Sequence, residues 1–186
     1  MNWITKIIKP AIKSLFEKKS SKSDDTLWTT CGCKNLIYKE DLQANFNCCP
    51  KCGTHHKLSC NERFGLFFDN REFELIKTPL PNDDPLNFID KKKYSDRLIV
   101  ARRKTGQDDA VAIATGKVNN INVTVGAQDF RFIGGSFGAA SGEAFITGVQ
   151  NAIDNKNPFI FFSCSGGQRM MESSIALMQM SRTTLA

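Results

Sequence analysis

The chain has 186 residues with 41% hydrophobic residues, 14 of them Phe, and a formal net charge of +6. This length suits one ordinary domain plus a small module, and no run approaches the roughly 18 apolar residues of a membrane span. Residues 1–22 contribute +5 of the charge, which argues against a broadly basic nucleic-acid face over the main domain.

The N-terminal segment, residues 1–27, is a basic tail and linker. Its apolar residues recur at helical spacing, but Pro10 would break or kink that helix. The segment is either an amphipathic helix for a membrane surface or partner, or an extension that packs on a neighbouring subunit. We expect this segment not to be a secretory signal, because its apolar stretches are short and interrupted by lysines. We therefore expect a cytoplasmic protein, in which clustered cysteines are more often metal ligands than disulfides.

Five of the seven cysteines lie in "CGCKNLIYKEDLQANFNCCPKC", within residues 28–60. A C-x-C pair is followed by fifteen residues and a C-x2-C pair. The template of a four-cysteine zinc ribbon is C-x2-C, about 15–20 residues, and C-x2-C. Zinc takes four ligands in a tetrahedron. The spacing therefore predicts one structural zinc ion with the ligands Cys31, Cys33, Cys49 and Cys52.

Three neighbouring residues are alternative ligands, because two thiolates only two positions apart form a strained chelate. Cys48 would replace Cys49, and His55 or His56 would replace Cys31 or Cys33. The simpler interpretation is that Cys48 and Cys60 are ordinary buried cysteines. A catalytic zinc is not expected, because it needs an open position and a nearby base.

Residues 61–186 predict an α/β domain. "NERFGLFFDNREFELI" is predicted as a short helix with an apolar face at Phe64, Phe67 and Phe68. A Pro-rich connection follows, and then a helix that ends at Gly106. "AVAIATGKVNNINVTVGAQDFRF" predicts two strands joined by a turn at Asn119 and Asn120.

After these strands, "IGGSFGAASGEAFITGVQNAI" is predicted as a glycine-rich turn that enters a helix. The last stretch, "NPFIFFSCSGGQRMMESSIALMQMSRTTLA", repeats the order of buried strand, glycine turn and helix. This succession favours an α/β domain with buried strands. The second helix has no C-cap Gly or Pro. We therefore expect either a fragment or a fold that another polypeptide completes.

The two glycine turns are the candidate catalytic elements. Gly166 and Gly167 follow a buried strand and precede a helix, and Gly134 and Gly135 have the same arrangement. Unpaired amides at such a position can hold a phosphate or a developing oxyanion. The alternative is that these glycines only allow tight packing. Neither turn is a P-loop or a dinucleotide fingerprint, and the two histidines offer no Ser–His–Asp arrangement.

These motifs together resemble one family. In chain order they are "LWTTC", "LIYKEDL", "CPKCGTHHKL", "KKYSDRL", "TGQDDAV", "FIGGSFG", "GEAF" and "FFSCSGGQRMMESSIALMQM". Over essentially its whole length the chain resembles the N-terminal part of the β subunits of bacterial-type acetyl-CoA carboxylase carboxyltransferases. The resemblance implies a crotonase-like spiral of ββα units, incomplete at the C-terminus and preceded by a zinc ribbon. Family members have C-x2-C at the first cysteine pair and continue past Ala186.

The resemblance also implies a reaction. It is the transfer of a carboxyl group from carboxybiotin on the biotin carboxyl carrier protein to acetyl-CoA, giving malonyl-CoA in the first committed step of fatty acid synthesis. By motif position, the amides of Gly166 and Gly167 are the first oxyanion donors and those of Gly134 and Gly135 the second. The implied partners are biotin carboxylase and an α subunit that completes the active site, in a heterotetramer of two α and two β subunits.

Three other functions are alternatives. The chain would be a non-catalytic fragment that only docks on the α subunit, or a zinc-ribbon nucleic-acid-binding protein. The basic tail favours nucleic-acid binding, but residues 28–60 are only mildly basic and lack an obvious stacking platform. A related enzyme for a larger acyl-CoA is the third, and the zinc ribbon argues against it.

Overall fold

The computed structural model describes residues 27–186. These residues belong to two compact units that divide between His56 and Lys57. The helix that the sequence predicts in the basic tail, with its break at Pro10, lies outside the described residues. Within residues 27–186, no helix is both long enough and apolar enough to cross a membrane.

The smaller unit is built around a two-stranded ribbon. Strand β1 (Trp28–Thr30) pairs antiparallel with β2 (Leu36–Tyr38), and helix α1 (Lys39–Ala44) follows directly. The unit buries few large apolar side chains, and its core consists of Cys31, Ile37, Leu42 and Cys49. A core of this size needs a metal or another staple for stability.

The larger unit contains a four-stranded mixed sheet in the order β3-β4-β5-β6. The strands are β3 (Phe73–Ile76), β4 (Val111–Val118), β5 (Ile121–Gln128) and β6 (Phe159–Phe162). The first three pair antiparallel, whereas β6 pairs parallel with β5. The parallel pair needs a long crossover, which a helix supplies.

Four helices accompany the sheet: α2 (Cys60–Phe67), α3 (Tyr94–Thr105), α4 (Ala139–Asp154) and α5 (Ser173–Leu185). Helix α2 begins with a capping box, in which Ser59 and Glu62 bond each other's backbone amides. Helix α4 is the crossover between β5 and β6. Strands β4 and β5 with α4 form a ββα unit, and β6 with α5 repeats the strand, turn and helix order.

The core lies on both faces of the sheet. Neighbouring residues of a strand point to opposite faces, so Ile113 and Ala114 of β4 mark the two sides. Ile113 belongs to a cluster with Ala144 of α4. Ala114 belongs to a cluster on the α2 side, with Cys60, Phe64, Phe68, Val123, Val125 and Ala127. The sheet is therefore a middle layer, covered by α2 on one face and α4 on the other.

Several sequence predictions for this unit are confirmed. Helix α3 ends at Gly106, which adopts a left-handed conformation with φ +70°. The turn between β4 and β5 has Asn119 and Asn120, both at positive φ, as a tight hairpin turn of type I′ requires. Cys60 is buried, as expected for an ordinary core cysteine.

One prediction was wrong for part of its segment. The stretch that was predicted as a single short helix ends its helix at Phe67, and residues 73–76 form strand β3. A turn at Asp69–Arg71 separates the two, with Asn70 at φ +53°. The Asp69 carboxylate accepts hydrogen bonds from the amides of Asn119 and Asn120, both at 3.0 Å. This tertiary contact redirects the chain along the edge of β4.

Candidate functional site

Four cysteine sulfurs converge in the smaller unit. The Sγ atoms of Cys31, Cys33, Cys49 and Cys52 all lie within 4.8 Å of one another. The Cys31–Cys52 and Cys33–Cys49 sulfur pairs are 3.6 and 3.9 Å apart. A tetrahedral zinc ion with Zn–S bonds of about 2.3 Å places its sulfurs roughly 3.8 Å apart. The four cysteines are therefore positioned for a metal ion, and their spacing fits zinc.

Two backbone turns aim these sulfurs inward. At the C-x-C pair, the Lys34 amide donates to the Cys31 carbonyl at 2.8 Å, and Lys34 takes φ +65°. At the C-x2-C pair, the Gly53 amide donates to the Cys49 carbonyl at 2.8 Å, with Gly53 at φ +71°. The turn closed at Lys34 allows a spacing of only one residue to present both sulfurs to the same point.

The alternative ligands lie outside this cluster. The Cys48 sulfur is 3.1 Å from Nδ1 of His55. The two residues face each other in an isolated antiparallel β-bridge. The buried Nε2 of His56 has no hydrogen-bond partner within residues 27–186. Among the residues that the structure describes, the four cysteines are the one group of three or more potential ligands close enough to share a metal.

Polar neighbours favour the thiolate form at two of the four positions. Nδ2 of Asn35 donates to the Cys33 sulfur at 3.2 Å. This hydrogen bond is the largest of several contacts that together lower the pKa of Cys33 to about 6. The Thr54 hydroxyl lies 3.1 Å from the Cys52 sulfur and lowers the pKa of Cys52. Since the thiolate is the metal ligand, these contacts prepare the cluster for a cation.

The two glycine turns lie side by side in the larger unit. One turn, residues 133–138, follows β5, and the other, residues 163–168, follows β6. Because β5 and β6 run parallel, their carboxyl ends meet at the same edge of the sheet, which is where ligands bind in α/β sheets. Helix α4 begins directly after the first turn, at Ala139. Helix α5 begins only at Ser173, because a short 3-10 helix at Met170–Glu172 separates it from the second turn. Gly166 and Gly167 therefore do not lie at a helix N-terminus as the sequence predicts.

Backbone hydrogen bonds join the two turns. The Gly166 amide donates to the Gly134 carbonyl, and the Phe137 amide donates to the Gly167 carbonyl, both at 2.9 Å. The approach is so close that a Cβ on Gly135 would lie 2.1 Å from the Cys164 carbonyl oxygen. Gly135 is also left-handed, with φ +64°, so the junction requires glycine there.

The amides of the glycines differ in the kind of acceptor to which they donate a hydrogen bond. The Gly166 amide has its partner across the junction, and the Gly135 amide donates to the Phe132 carbonyl at 2.8 Å. The Gly167 amide instead donates to the Ser165 hydroxyl oxygen at 3.0 Å. A hydroxyl can rotate away, so the Gly167 amide is the more easily released donor.

A buried ionic cluster that the sequence patterns do not predict lies behind the turns. Arg169 makes two hydrogen bonds to the Asp109 carboxylate, at 2.6 and 2.8 Å, and one to the Ser136 carbonyl at 2.7 Å. Burial opposes its charge, but the Asp109 hydrogen bonds more than offset this, so the pKa of Arg169 lies above its usual value. In the sequence, Asp109 stands just before an apolar segment and Arg169 follows the second glycine turn. These positions do not show that the two side chains form an ion pair with each other.

Comparisons with known proteins match both units. Residues 28–52 match the family model described as "Acetyl-CoA carboxylase zinc finger domain". Residues 89–185 match the model described as "Carboxyl transferase domain". The first range contains all four clustered cysteines, and the second contains both glycine turns and the buried arginine.

Curated relatives extend over the full chain. The acetyl-coenzyme A carboxylase carboxyl transferase subunit beta of Pelagibacter ubique (strain HTCC1062) is 47% identical over 190 residues, covering 100% of this chain and 61% of that protein. The subunit of the same name from Gluconacetobacter diazotrophicus is 42% identical over 187 residues, with the same two coverages. The chain thus spans about three fifths of the length of these relatives.

A solved structure supports the fold. The transcarboxylase 12S structure with methylmalonyl-coenzyme A and methylmalonic acid bound matches with a TM-score of 0.53 at 23% identity. The match covers 68% of this chain and 22% of that one. It confirms the predicted crotonase-like α/β fold. Since the carboxyl transferase model matches more than half of the 186 residues, the chain belongs to the carboxyl transferase domain family.

Proposed function

We propose that this chain acts in the β subunit of an acetyl-CoA carboxylase carboxyltransferase. The reaction transfers a carboxyl group from carboxybiotin on a carrier protein to acetyl-CoA and yields malonyl-CoA. The observation that carries the proposal is the pair of glycine turns at the carboxyl ends of β5 and β6, joined by hydrogen bonds in a member of the carboxyl transferase family. The names of the curated relatives support the choice of acetyl-CoA.

The chemistry of this transfer needs hydrogen-bond donors more than a titrating side chain. When the carboxyl group leaves the biotin nitrogen and the acetyl methyl group loses a proton, negative charge grows on the ureido oxygen and on the thioester oxygen. An amide aimed at such an oxygen contributes about 3–4 kcal/mol to the barrier reduction. The biotin nitrogen that is freed can accept the proton, so a histidine is not required.

We assign the donor roles from the hydrogen bonds at the junction. The Gly167 amide is the first donor, because its present acceptor is a side-chain hydroxyl. Gly166 belongs to the same donor site but chiefly holds the turns in register, through its bond to Gly134. Gly134 and Gly135 are the second choice, as residues of the neighbouring turn.

The four clustered cysteines would hold one zinc ion with a structural role. Four thiolates fill a tetrahedral zinc and leave no open position for a substrate. The ion would supply the stability that the small apolar core of this unit does not provide. Cys48 and His55, which contact each other instead, would stay outside the coordination sphere.

The partners follow from the proposed reaction. We propose a cytoplasmic complex with a carboxyltransferase α subunit, two copies of each subunit, served by biotin carboxyl carrier protein and biotin carboxylase. The α subunit would cover the turns and exclude water from the reacting groups, which strengthens the hydrogen bonds made there.

The test is to co-express this chain with a matching α subunit and to purify the complex. Malonyl-CoA formation would then be measured with carboxylated carrier protein and acetyl-CoA. The proposal predicts transfer that depends on both subunits. A stable complex that forms no malonyl-CoA would show that the chain only docks on the α subunit.

A further inference from the structure

The buried cluster behind the glycine turns is the feature that the reaction chemistry leaves unexplained. Arg169 has no exposed side-chain surface, and the Asp109 and Glu172 side chains are 5% and 8% exposed. Burying charges costs free energy, and a well-packed apolar cluster is often at least as stable. The placement of these charges therefore calls for a role beyond stability.

Every N–H of the guanidinium has an acceptor. Nε donates to the Ser136 hydroxyl at 3.2 Å, and Nη2 donates to the Asp109 carboxylate and the Ser136 carbonyl. Nη1 donates to the other Asp109 oxygen, and its second N–H faces Tyr94 and Glu172 at 3.2 and 3.3 Å. Only the planar five-donor fork of arginine satisfies this set, and a lysine cannot.

These contacts reach both glycine turns from one residue. The Arg169 backbone follows the second turn and its amide donates to the Phe137 carbonyl at 2.9 Å, while its side chain holds Ser136 of the first turn. Glu172 extends the same connection, because its carboxylate accepts from the Ala139 amide, where α4 begins, at 2.6 Å. The cluster thus joins the loop after β5 to the loop after β6.

We propose that Arg169 is a positioning residue for carboxyl transfer, which holds the two glycine turns in register so that their amides face the reacting oxygens. The proposal rests on the proposed function of those turns. Arg169 itself does not contact substrate. The Asp109 carboxylate, which binds Arg169, also accepts a hydrogen bond from the Ser141 hydroxyl at 2.6 Å. Because Ser141 lies in α4, this helix also helps to hold the guanidinium.

A merely structural ion pair would have different consequences. Its loss would loosen the whole unit, and a lysine that restores the charge would repair much of the damage. A positioning fork predicts selective loosening of the Gly166–Gly134 hydrogen bond, with strands β4 and β5 unaffected. It also predicts that lysine does not restore the junction, because lysine cannot reach Asp109 and Ser136 together.

The experiment compares two variants and a matched control. Arg169→Lys keeps the charge, and the double variant Arg169→Met with Asp109→Asn removes the fork together with its bidentate carboxylate partner. The Glu172 carboxylate keeps the Tyr94 hydroxyl and the Ala139 amide as donors in that variant. The control double variant, Arg102→Met with Asp83→Asn, removes a bidentate pair of the same kind that lies at the surface. Hydrogen exchange of individual backbone amides is measured by NMR on the chain, and kcat and KM are measured on its complex with the α subunit.

We expect the Gly166 amide to exchange about tenfold faster in both Arg169 variants, with the β4 and β5 amides unchanged and the control like the unmodified chain. In the complex, kcat should fall by at least about tenfold, while the KM for acetyl-CoA stays constant. Unchanged Gly166 exchange, equal acceleration throughout the sheet, or rescue by lysine would overturn the proposal. Absence of transfer by the unmodified complex would overturn the proposed function instead, while the exchange data still decide whether Arg169 holds the turns.

Discussion

The Gly166 amide donates a hydrogen bond to the Gly134 carbonyl oxygen at 2.9 Å. This bond joins two turns that are 32 positions apart in the sequence and lie after two parallel strands. The two candidate donor sites are therefore parts of one rigid junction. In that junction the Gly167 amide is engaged only by a serine hydroxyl, which leaves it available to a substrate oxygen.

Replacing Ser165 with alanine tests this assignment. The hydroxyl competes for the Gly167 amide and itself donates to the Gly167 carbonyl at 3.1 Å rather than to a basic side chain. The variant should therefore keep its turnover within about threefold of the unmodified complex. Steady-state malonyl-CoA formation gives the measurement. A loss of about a thousandfold would instead show that Ser165 takes part in the chemistry.

Zinc content should follow the four clustered cysteines. Changing any one of Cys31, Cys33, Cys49 or Cys52 to serine should abolish stoichiometric zinc, because a structural site needs all four ligands. Cys48→Ser is the matched control, since Cys48 pairs with His55 outside the cluster. Metal analysis of the purified variants measures the zinc content per chain and identifies which cysteines are ligands. Full zinc content in Cys31→Ser would show that Cys31 is not a zinc ligand, so that only one cysteine of the C-x-C pair binds the ion.

The turn before β3 provides a test of the fold. Asp69→Ala removes the acceptor for the amides of Asn119 and Asn120, and should lower the free energy of unfolding by about 1–3 kcal/mol. Denaturant titration followed by circular dichroism gives the value. Asp96→Ala, a change of the same type within α3, should have a much smaller effect. Equal losses in the two variants would show that the hairpin contact is unimportant.

Local patterns in the sequence were sufficient for much of this architecture. The asparagine turn, the glycine that ends α3 and the strand–turn–helix repeats each depend on residues a few positions apart. Strand β3 was missed, because its pairing with β4 depends on Asp69 and a hairpin 50 residues away. The Arg169 cluster was missed for the same reason, since its partner Asp109 is 60 residues distant. Spacing predicted the four cysteines, but only the structure shows that a pair separated by a single residue brings both sulfurs within 4.8 Å of the other two.

The joined glycine turns are the proposed donor site for carboxyl transfer. A comparison of kcat of the α-subunit complex for Gly135→Ala and Gly65→Ala tests this role. A Cβ at Gly135 would collide with the Cys164 carbonyl and separate the turns, whereas the space around Gly65 is open. We predict a loss of at least about a hundredfold for Gly135→Ala, with normal turnover for Gly65→Ala. Equal, undiminished turnover of the two complexes would show that carboxyl transfer does not depend on the junction between the turns.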